Sequence, residues 1–406
     1  MKQIKGGVTA AKGFKAASTA AGIKYKDRTD MAMIYSEVPC AVAGTFTTNI
    51  VKAAPVKWDQ HVVYDSKKAQ AVIVNAGIAN ACTGEEGMGY CKATAEKVNK
   101  LLQIPTDEVL VASTGVIGMQ LPIDRICAGV ETMVPQLNGD IESGHNAALA
   151  IMTTDTHEKE VAVEIELSGK TVTIGGMCKG SGMIHPNMCT MLSFVTTDAA
   201  ISQELLLEAL KADVEDTYNM ISVDGDTSTN DTVLLLASGL SGAEIADGTP
   251  DYDTFVAALT EVAEHLSREL AGDGEGATKL LECTVTGAPD LATARAVSKS
   301  VIHSTLFKAA MFGADANWGR VLCAIGYTPG DFDISKTSVR LKSKAGEVFV
   351  CENAAYHPYS EDEAAVVLKE DEIDILVDLG SGDATAKAWG CDLTYDYVKI
   401  NGDYRT

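Results

Sequence analysis

The sequence predicts a mixed α/β protein in which helices pack on stacked β-sheets, with a smaller α/β unit at its C-terminal end. Three observations lead there. Runs with strand character alternate with runs at helical spacing along all 406 residues. Hairpin signals and uneven connections interrupt that alternation, which does not suit a regular doubly wound parallel sheet. After Thr328-Pro329-Gly330 the character changes to short strands and a charged helix, so residues 328–406 read as the smaller unit. A chain of this length exceeds one ordinary hydrophobic core, so two domains or one large layered domain is expected.

Taken in order, Met31 to Tyr35 and Cys40 to Phe46 are candidate strands, and Ala69 to Asn75 is a continuous apolar run expected to be buried on both faces. It enters the small-residue loop Asn75 to Gly84. Gly89 to Leu102 has helical spacing, and Glu108 to Ser113 is the next strand. Ile123 to Val134 and Gly144 to Met152 are predicted helices. Val161 to Leu167 and Thr171 to Ile174 read as a hairpin around Ser168-Gly169-Lys170. Ser202 to Asp216 is a helix with Ser202 as its cap, Thr232 to Ala237 a strand, and Tyr252 to Leu270 a long helix. Lys279 to Gly287, Ser338 to Leu341, Val348 to Cys351 and Ile373 to Leu379 read as strands. Asp290 to His303, Val321 to Ile325 and Glu361 to Leu368 read as helices. Ala384 to Gly390 is predicted helical and Leu393 to Ile400 a strand, leaving 401–406 as a polar tail.

Composition narrows the function classes. The formal net charge of -23 argues against nucleic-acid or anionic-membrane partners, which call for a basic surface. No apolar run approaches a membrane span, and the lysine-bearing N-terminus lacks an h-region, so a cytoplasmic protein is expected. The ten cysteines include no C-x-x-C pair and the seven histidines no H-E-x-x-H, so no metal site is indicated. The acidic stretch Ser222 to Asp231 lacks the order of a calcium loop.

The residues with chemical promise lie in loops. In Lys179-Gly180-Ser181-Gly182-Met183-Ile184-His185-Pro186-Asn187-Met188-Cys189-Thr190-Met191-Leu192, two glycines and a proline rule out a continuous helix, and a β-prone run follows from Thr190 to Val195. Thr190 therefore stands where an irregular loop enters a strand. Taken alone, a threonine there is a β-branched packing residue; the alternative is a nucleophile with the chain cut in front of it. Ser113-Thr114-Gly115-Val116-Ile117-Gly118 could turn backbone N–H groups into a cavity, as an oxyanion hole needs, although such a segment also serves as a plain turn. Glu275 stands among Gly272, Gly274 and Gly276, and read alone is an exposed loop acid.

Taken together, these segments resemble the ornithine acetyltransferase family, also called the glutamate N-acetyltransferase family, of arginine biosynthesis. The matching blocks are Phe46 to Asn49 (FTTN), Asn75 to Gly84, Ser113 to Gly118 (STGVIG), Met152 to Thr156 (MTTDT), Lys179 to Leu192, Asp224 to Thr232 (DGDTSTNDT), Gly274 to Lys279 (GEGATK) and Phe312 to Arg320. They run through nearly the whole chain in the family's order. Two positions depart from it: Ile78 stands where the family usually has asparagine, and Cys189 where it usually has alanine.

The resemblance implies an αββα-like enzyme of the self-processing, N-terminal-nucleophile type. It would cut itself between Cys189 and Thr190, giving an α chain of residues 1–189 and a β chain of 190–406 that assemble as two of each. Thr190 would be the nucleophile, with Thr114 and Gly115 as the oxyanion hole. Thr153, Lys179, Thr190, Glu275, Asn401 and Thr406 would line the substrate site. The implied substrates are N-acetylornithine and glutamate, with no cofactor; some members also take acetyl-CoA as a co-substrate. Two rivals are a self-processing aminopeptidase or amidohydrolase, and a binding protein without activity, against which the intact Thr190 and Thr114-Gly115 speak.

Overall fold

The computed structural model describes residues 1–185 and 191–403. Three positions singled out by the sequence, Cys189, Thr190 and Thr406, lie outside the described residues. The described chain forms two compact units.

The first unit comprises Met1–Gly180, 191–215 and Thr227–Leu266. Its main sheet runs in the order Lys2–Ile4, Lys159–Leu167, Lys170–Lys179, Leu192–Thr197, Thr232–Ala237, Met31–Phe46, Lys68–Ile78, Val109–Val116, with Phe14–Thr19 also paired to Met31–Phe46. Leu192–Thr197 runs parallel to Thr232–Ala237, and Lys68–Ile78 parallel to Val109–Val116. Two expected strands prove to be one. Met31–Phe46 is continuous, its first half paired to Lys68–Ile78 and its second to Thr232–Ala237. The register slips between Tyr35 and Cys40, around Pro39, which has no N–H to give a ladder.

That long strand lets the sheet enclose a core. Val72, Val74, Leu110 and Ala112 share one buried cluster with Leu192, Phe194, Leu234 and Leu236, so two parts of the sheet face each other across it. Ala71 and Ile73 point the other way, into a cluster with Ala95 and Val98 of the helix Glu86–Leu102 and Ile126 and Val130 of the helix Ile123–Met133. Helices on stacked sheets are thus the architecture. Both faces of Lys68–Ile78 are buried, which is why its sequence is apolar without alternation. On the far side, Gly176 leaves room for Val262 and Leu266 to approach the strand Lys170–Lys179.

The second unit comprises 181–185, Asp216–Asp226 and 267–403. Its sheet runs Ile221–Ser222, Ala384–Cys391, Leu280–Ala288, Glu372–Asp378, Ser338–Ser343, Gly346–Glu352, Ala355–Tyr356. The helix Leu291–His303, capped by Asp290, packs on Ala384–Cys391 and Leu280–Ala288. The change of character at residue 328 falls inside this unit.

Two expectations near the end are reversed. Ala384–Cys391 is a strand, although its alanines favour a helix. Ala386 and Ala388 are buried at alternate positions beside Leu280–Ala288, and that placement outweighs propensity. Tyr395–Asp403 is a helix, although it is rich in aromatic and β-branched residues. Thr394 Oγ1 accepts from the Tyr397 N–H (3.4 Å) and donates to the Gly276 carbonyl (2.7 Å), so the helix start is both capped and anchored. The helices Ala54–His61 and Thr305–Phe312 were not anticipated. No helix among the described residues is long and apolar enough to cross a membrane.

Candidate active site

In the first unit the functional side chains converge on the end of the strand Lys170–Lys179. Lys179 is buried, and its ammonium donates to Thr153 Oγ1 (2.9 Å) and Thr114 Oγ1 (3.3 Å). Three residues implied by the resemblance are thereby brought together from positions 26 and 65 residues away from Lys179. A threonine hydroxyl that accepts from an ammonium is polarised, and its own proton is free to be aimed at a developing negative charge.

Thr114 and Gly115 sit at the end of the strand Val109–Val116, where Gly115 is opposite Gly77. Gly115 has φ +125° and Gly77 φ +106°. A side chain on Gly115 would overlap the Gly77 backbone, so the two strands approach this closely only with glycine at 115. Asn230 fixes the same end: its side-chain amide donates to the carbonyls of Ser113 (3.0 Å) and Ala79. Ile78, the unusual residue, ends the strand Lys68–Ile78 and is buried in the outer cluster, and its carbonyl accepts from the Asn75 side chain (2.9 Å).

The residue that sequence reasoning missed is Asp155. Its buried carboxylate accepts from Lys159 Nζ (2.8 Å), the Gly180 N–H (2.6 Å) and the Thr153 N–H (2.9 Å), and lies 3.9 Å from Lys179 Nζ. Burial alone would raise its pKa. The charges of Lys179 and Lys159 outweigh that and hold it well below the usual carboxylate range. Asp231 goes the other way: burial pushes it well above that range, against a hydrogen bond from Ser228 and the charge of Lys179. Asp155 is therefore the anion that balances this pair of lysines. Arg28 completes the support, donating to the carbonyls of Met152 (2.7 Å) and Thr153 (3.1 Å).

The second unit holds its own group. Glu275 is buried, not an exposed loop acid, and accepts from the Asn401 side chain (2.7 Å). Asn401 lies on the helix Tyr395–Asp403 rather than in a frayed tail. Gly182 packs against the Glu275 carboxylate so closely that a Cβ there would run into it. The Glu275 N–H donates to the Ser181 carbonyl (3.0 Å), and the Ser181 hydroxyl to the Asp273 carbonyl (2.6 Å). Two further residues implied by the resemblance thus meet, beside the start of the loop that leads to Thr190.

The match to known proteins covers almost the whole chain. The model of the ArgJ family matches residues 15–406. The chain belongs to the ArgJ family. A member from Caldanaerobacter subterraneus, named as the arginine biosynthesis bifunctional protein ArgJ, is 50% identical over 407 residues, covering 100% of both chains. Among solved structures, the arginine biosynthesis bifunctional protein of Bacillus halodurans is 46% identical, with a TM-score of 0.51 over 53% of this chain and 100% of that one. An ornithine acetyltransferase of Mycobacterium tuberculosis, solved with ornithine, is 46% identical over 45% of this chain and 95% of that one, with a TM-score of 0.43. Within the family frame, the polar groups around Lys179 and Glu275 are the candidates for its chemistry.

Proposed function

We propose that the chain is a glutamate N-acetyltransferase that moves the acetyl group of N2-acetyl-L-ornithine to L-glutamate, through an ester on Thr190. Membership of the ArgJ family supports the reaction class. The observation that carries the site is Lys179 holding the hydroxyls of both Thr114 and Thr153.

Maturation comes first. The Thr190 hydroxyl attacks the Cys189 carbonyl carbon, the C–N bond breaks, and the departing nitrogen takes a proton. Water then hydrolyses the ester, leaving a Cys189 carboxylate and a free Thr190 α-amine. Such an amine has an ordinary pKa of about 7.7–8.0, well matched to act as base for its own hydroxyl near neutral pH. This explains how a threonine, a weak nucleophile, works without a Ser-His-Asp set.

Transfer follows in two halves. Thr190 attacks the acetyl carbonyl of N-acetylornithine, and the Thr114 hydroxyl and Gly115 N–H stabilise the oxyanion. Ornithine leaves with a proton, and the α-amine of glutamate takes the acetyl group from the ester, giving N-acetylglutamate. Thr153, Lys179, Glu275, Asn401 and Thr406 line the substrate site, Glu275 meeting the ornithine side-chain ammonium. Lys179 already gives hydrogen bonds to two hydroxyls and faces Asp155, so its charge reaches a substrate carboxylate or oxyanion mainly through the threonines it orients. Acetyl-CoA enters, where it is used, as a second donor to the same ester. The mature enzyme is a cytoplasmic assembly of two α and two β chains.

The test is release of ornithine from N-acetylornithine with and without glutamate. The proposal predicts release that requires glutamate and stoichiometric N-acetylglutamate; release at the same rate without glutamate contradicts it and points to a hydrolase. Gly115→Ala is expected to lower kcat by at least roughly 100-fold, because its Cβ would run into the Gly77 backbone and shift the proposed oxyanion donor. Steady-state kinetics of matured protein check this, and a kcat near that of the parent would remove Gly115 from the oxyanion hole.

A further inference from the structure

The segment that leads to the Cys189–Thr190 bond is gripped at successive residues, and one side chain takes two of the grips. The Asp224 carboxylate accepts from the backbone N–H of Met183 (2.6 Å) through Oδ2 and of Ile184 (2.8 Å) through Oδ1. Both are charge-assisted hydrogen bonds, about twice as strong as neutral ones. Tyr397 donates its hydroxyl to Asp224 Oδ2 (3.4 Å), and the Asp226 N–H reaches Oδ1 (3.3 Å).

The geometry of the segment explains why such a grip is useful. Met183 has φ +57°, a left-handed conformation that a residue with a side chain adopts at a cost, and its side chain is exposed, so packing does not hold it there. Downstream, the Val223 N–H donates to the Ile184 carbonyl (2.7 Å), and the Ile184 side chain is fully buried. His185 Nδ1 shares a hydrogen bond with Ser222 Oγ (2.9 Å), which also meets His303 Nδ1 (3.3 Å), and the two imidazole rings lie 4.6 Å apart. Burial, Lys299 and His303 push the His185 pKa down to about 3, so this end of the grip is a neutral imidazole. Upstream, Ser181 is tied to Asp273 and Glu275.

We infer that Asp224 is a positioning residue for self-cleavage: its two hydrogen bonds to the Met183 and Ile184 backbone fix the course of the chain entering the scissile segment. The inference rests on the self-cleavage reading above. Asp224 takes no part in the bond changes. It acts ahead of the chemistry, by holding the backbone of Met183 and Ile184 to one course before attack on the Cys189 carbonyl. The grip also joins residues that fall on opposite sides of the cut, so it persists as a joint between the two product chains.

The experiment follows full-length protein made by cell-free synthesis, with the intact chain and its fragments resolved by denaturing electrophoresis over time. Asp224→Asn keeps the size of the side chain and removes the charge and one acceptor. Cleavage is expected to slow roughly 10- to 100-fold, the range for loss of a charge-assisted hydrogen bond. The thermal midpoint of uncut Asp224→Asn/Thr190→Ala protein should stay close to that of Thr190→Ala alone, which a merely structural role would not give. Tyr397→Phe, which touches the carboxylate but not the loop backbone, should slow cleavage by a few-fold. Parent-like cleavage of Asp224→Asn overturns the inference. If that variant does not fold, parent-like cleavage of Tyr397→Phe overturns it instead. A parent chain that is never cut overturns the self-cleavage reading itself, a different result from a cut parent with an unaffected variant.

Discussion

Thr190→Ala is expected to give one uncut chain of full length and to abolish acetyl transfer, with a loss of at least roughly 10⁴-fold in kcat. Both effects come from one missing oxygen. In the proposed mechanism the hydroxyl is the attacking group in maturation and again in transfer, and without maturation the α-amine proposed as base would not exist. Thr190→Ser restores a hydroxyl at the same position, so it should be cut and should retain part of the activity. Denaturing electrophoresis and ornithine release, measured on the same preparations, separate the two steps. An alanine variant that is cut at 189/190 would require another nucleophile, and Cys189, whose thiol is adjacent to that bond in sequence, would be the first to replace.

Asp155→Ala is expected to cost about 3–5 kcal/mol of stability, the usual penalty for removing one partner of a buried ion pair. The side chains of Asp155 and Lys159 are fully buried and that of Lys179 nearly so, so two cations lose their counter-charge together. The Gly180 and Thr153 N–H groups lose their acceptor as well. Activity should fall with stability, because Lys179 is no longer held toward Thr114 and Thr153. Urea unfolding of the Thr190→Ala background, which avoids chain separation, measures the cost. The pH dependence has a definite sign. The folded pKa of Asp155 is depressed, so below the ordinary carboxylate value of about 3.9 the unfolded state binds more protons. Its contribution is complete above that value and is lost as pH falls toward the folded pKa. Asp155→Asn should remove that part of the acid sensitivity; an unchanged acid slope would mean that Asp155 is not the charged partner.

Much of the fold was legible because the local signals were strong. Thr232–Ala237 and Glu361–Leu368 lie where an apolar run and a charged helical pattern place them. The misreadings were tertiary. Met31–Phe46 looked broken at Pro39 because a bulge inside one strand and a gap between two strands have the same composition. Ala384–Cys391 and Tyr395–Asp403 exchanged types because placement beside a central strand, and a threonine cap tied to Gly276, outweighed intrinsic preference.

The site was legible in a different way. Lys179, Thr114 and Thr153 were reached through motifs, since nothing in their local sequence says that they meet. Glu275 read alone as an exposed acid; its burial comes from Gly182 and Asn401, far away in sequence. Asp155 and Asp224 stood inside the matching blocks, but their roles were not legible because they accept backbone N–H groups 25 and 41 residues distant. In both cases an acidic residue in a polar loop, which composition assigns to solvent, is an internal ligand for a segment beside the chemistry.

In the proposed scheme this chain makes its own catalytic residue by breaking one peptide bond. Denaturing electrophoresis of purified parent protein, with N-terminal sequencing of each band, tests it most directly. Two bands are expected, the second beginning Thr190-Met191-Leu192. A single uncut band from protein that transfers acetyl groups, or a second band beginning at any other residue, would contradict it.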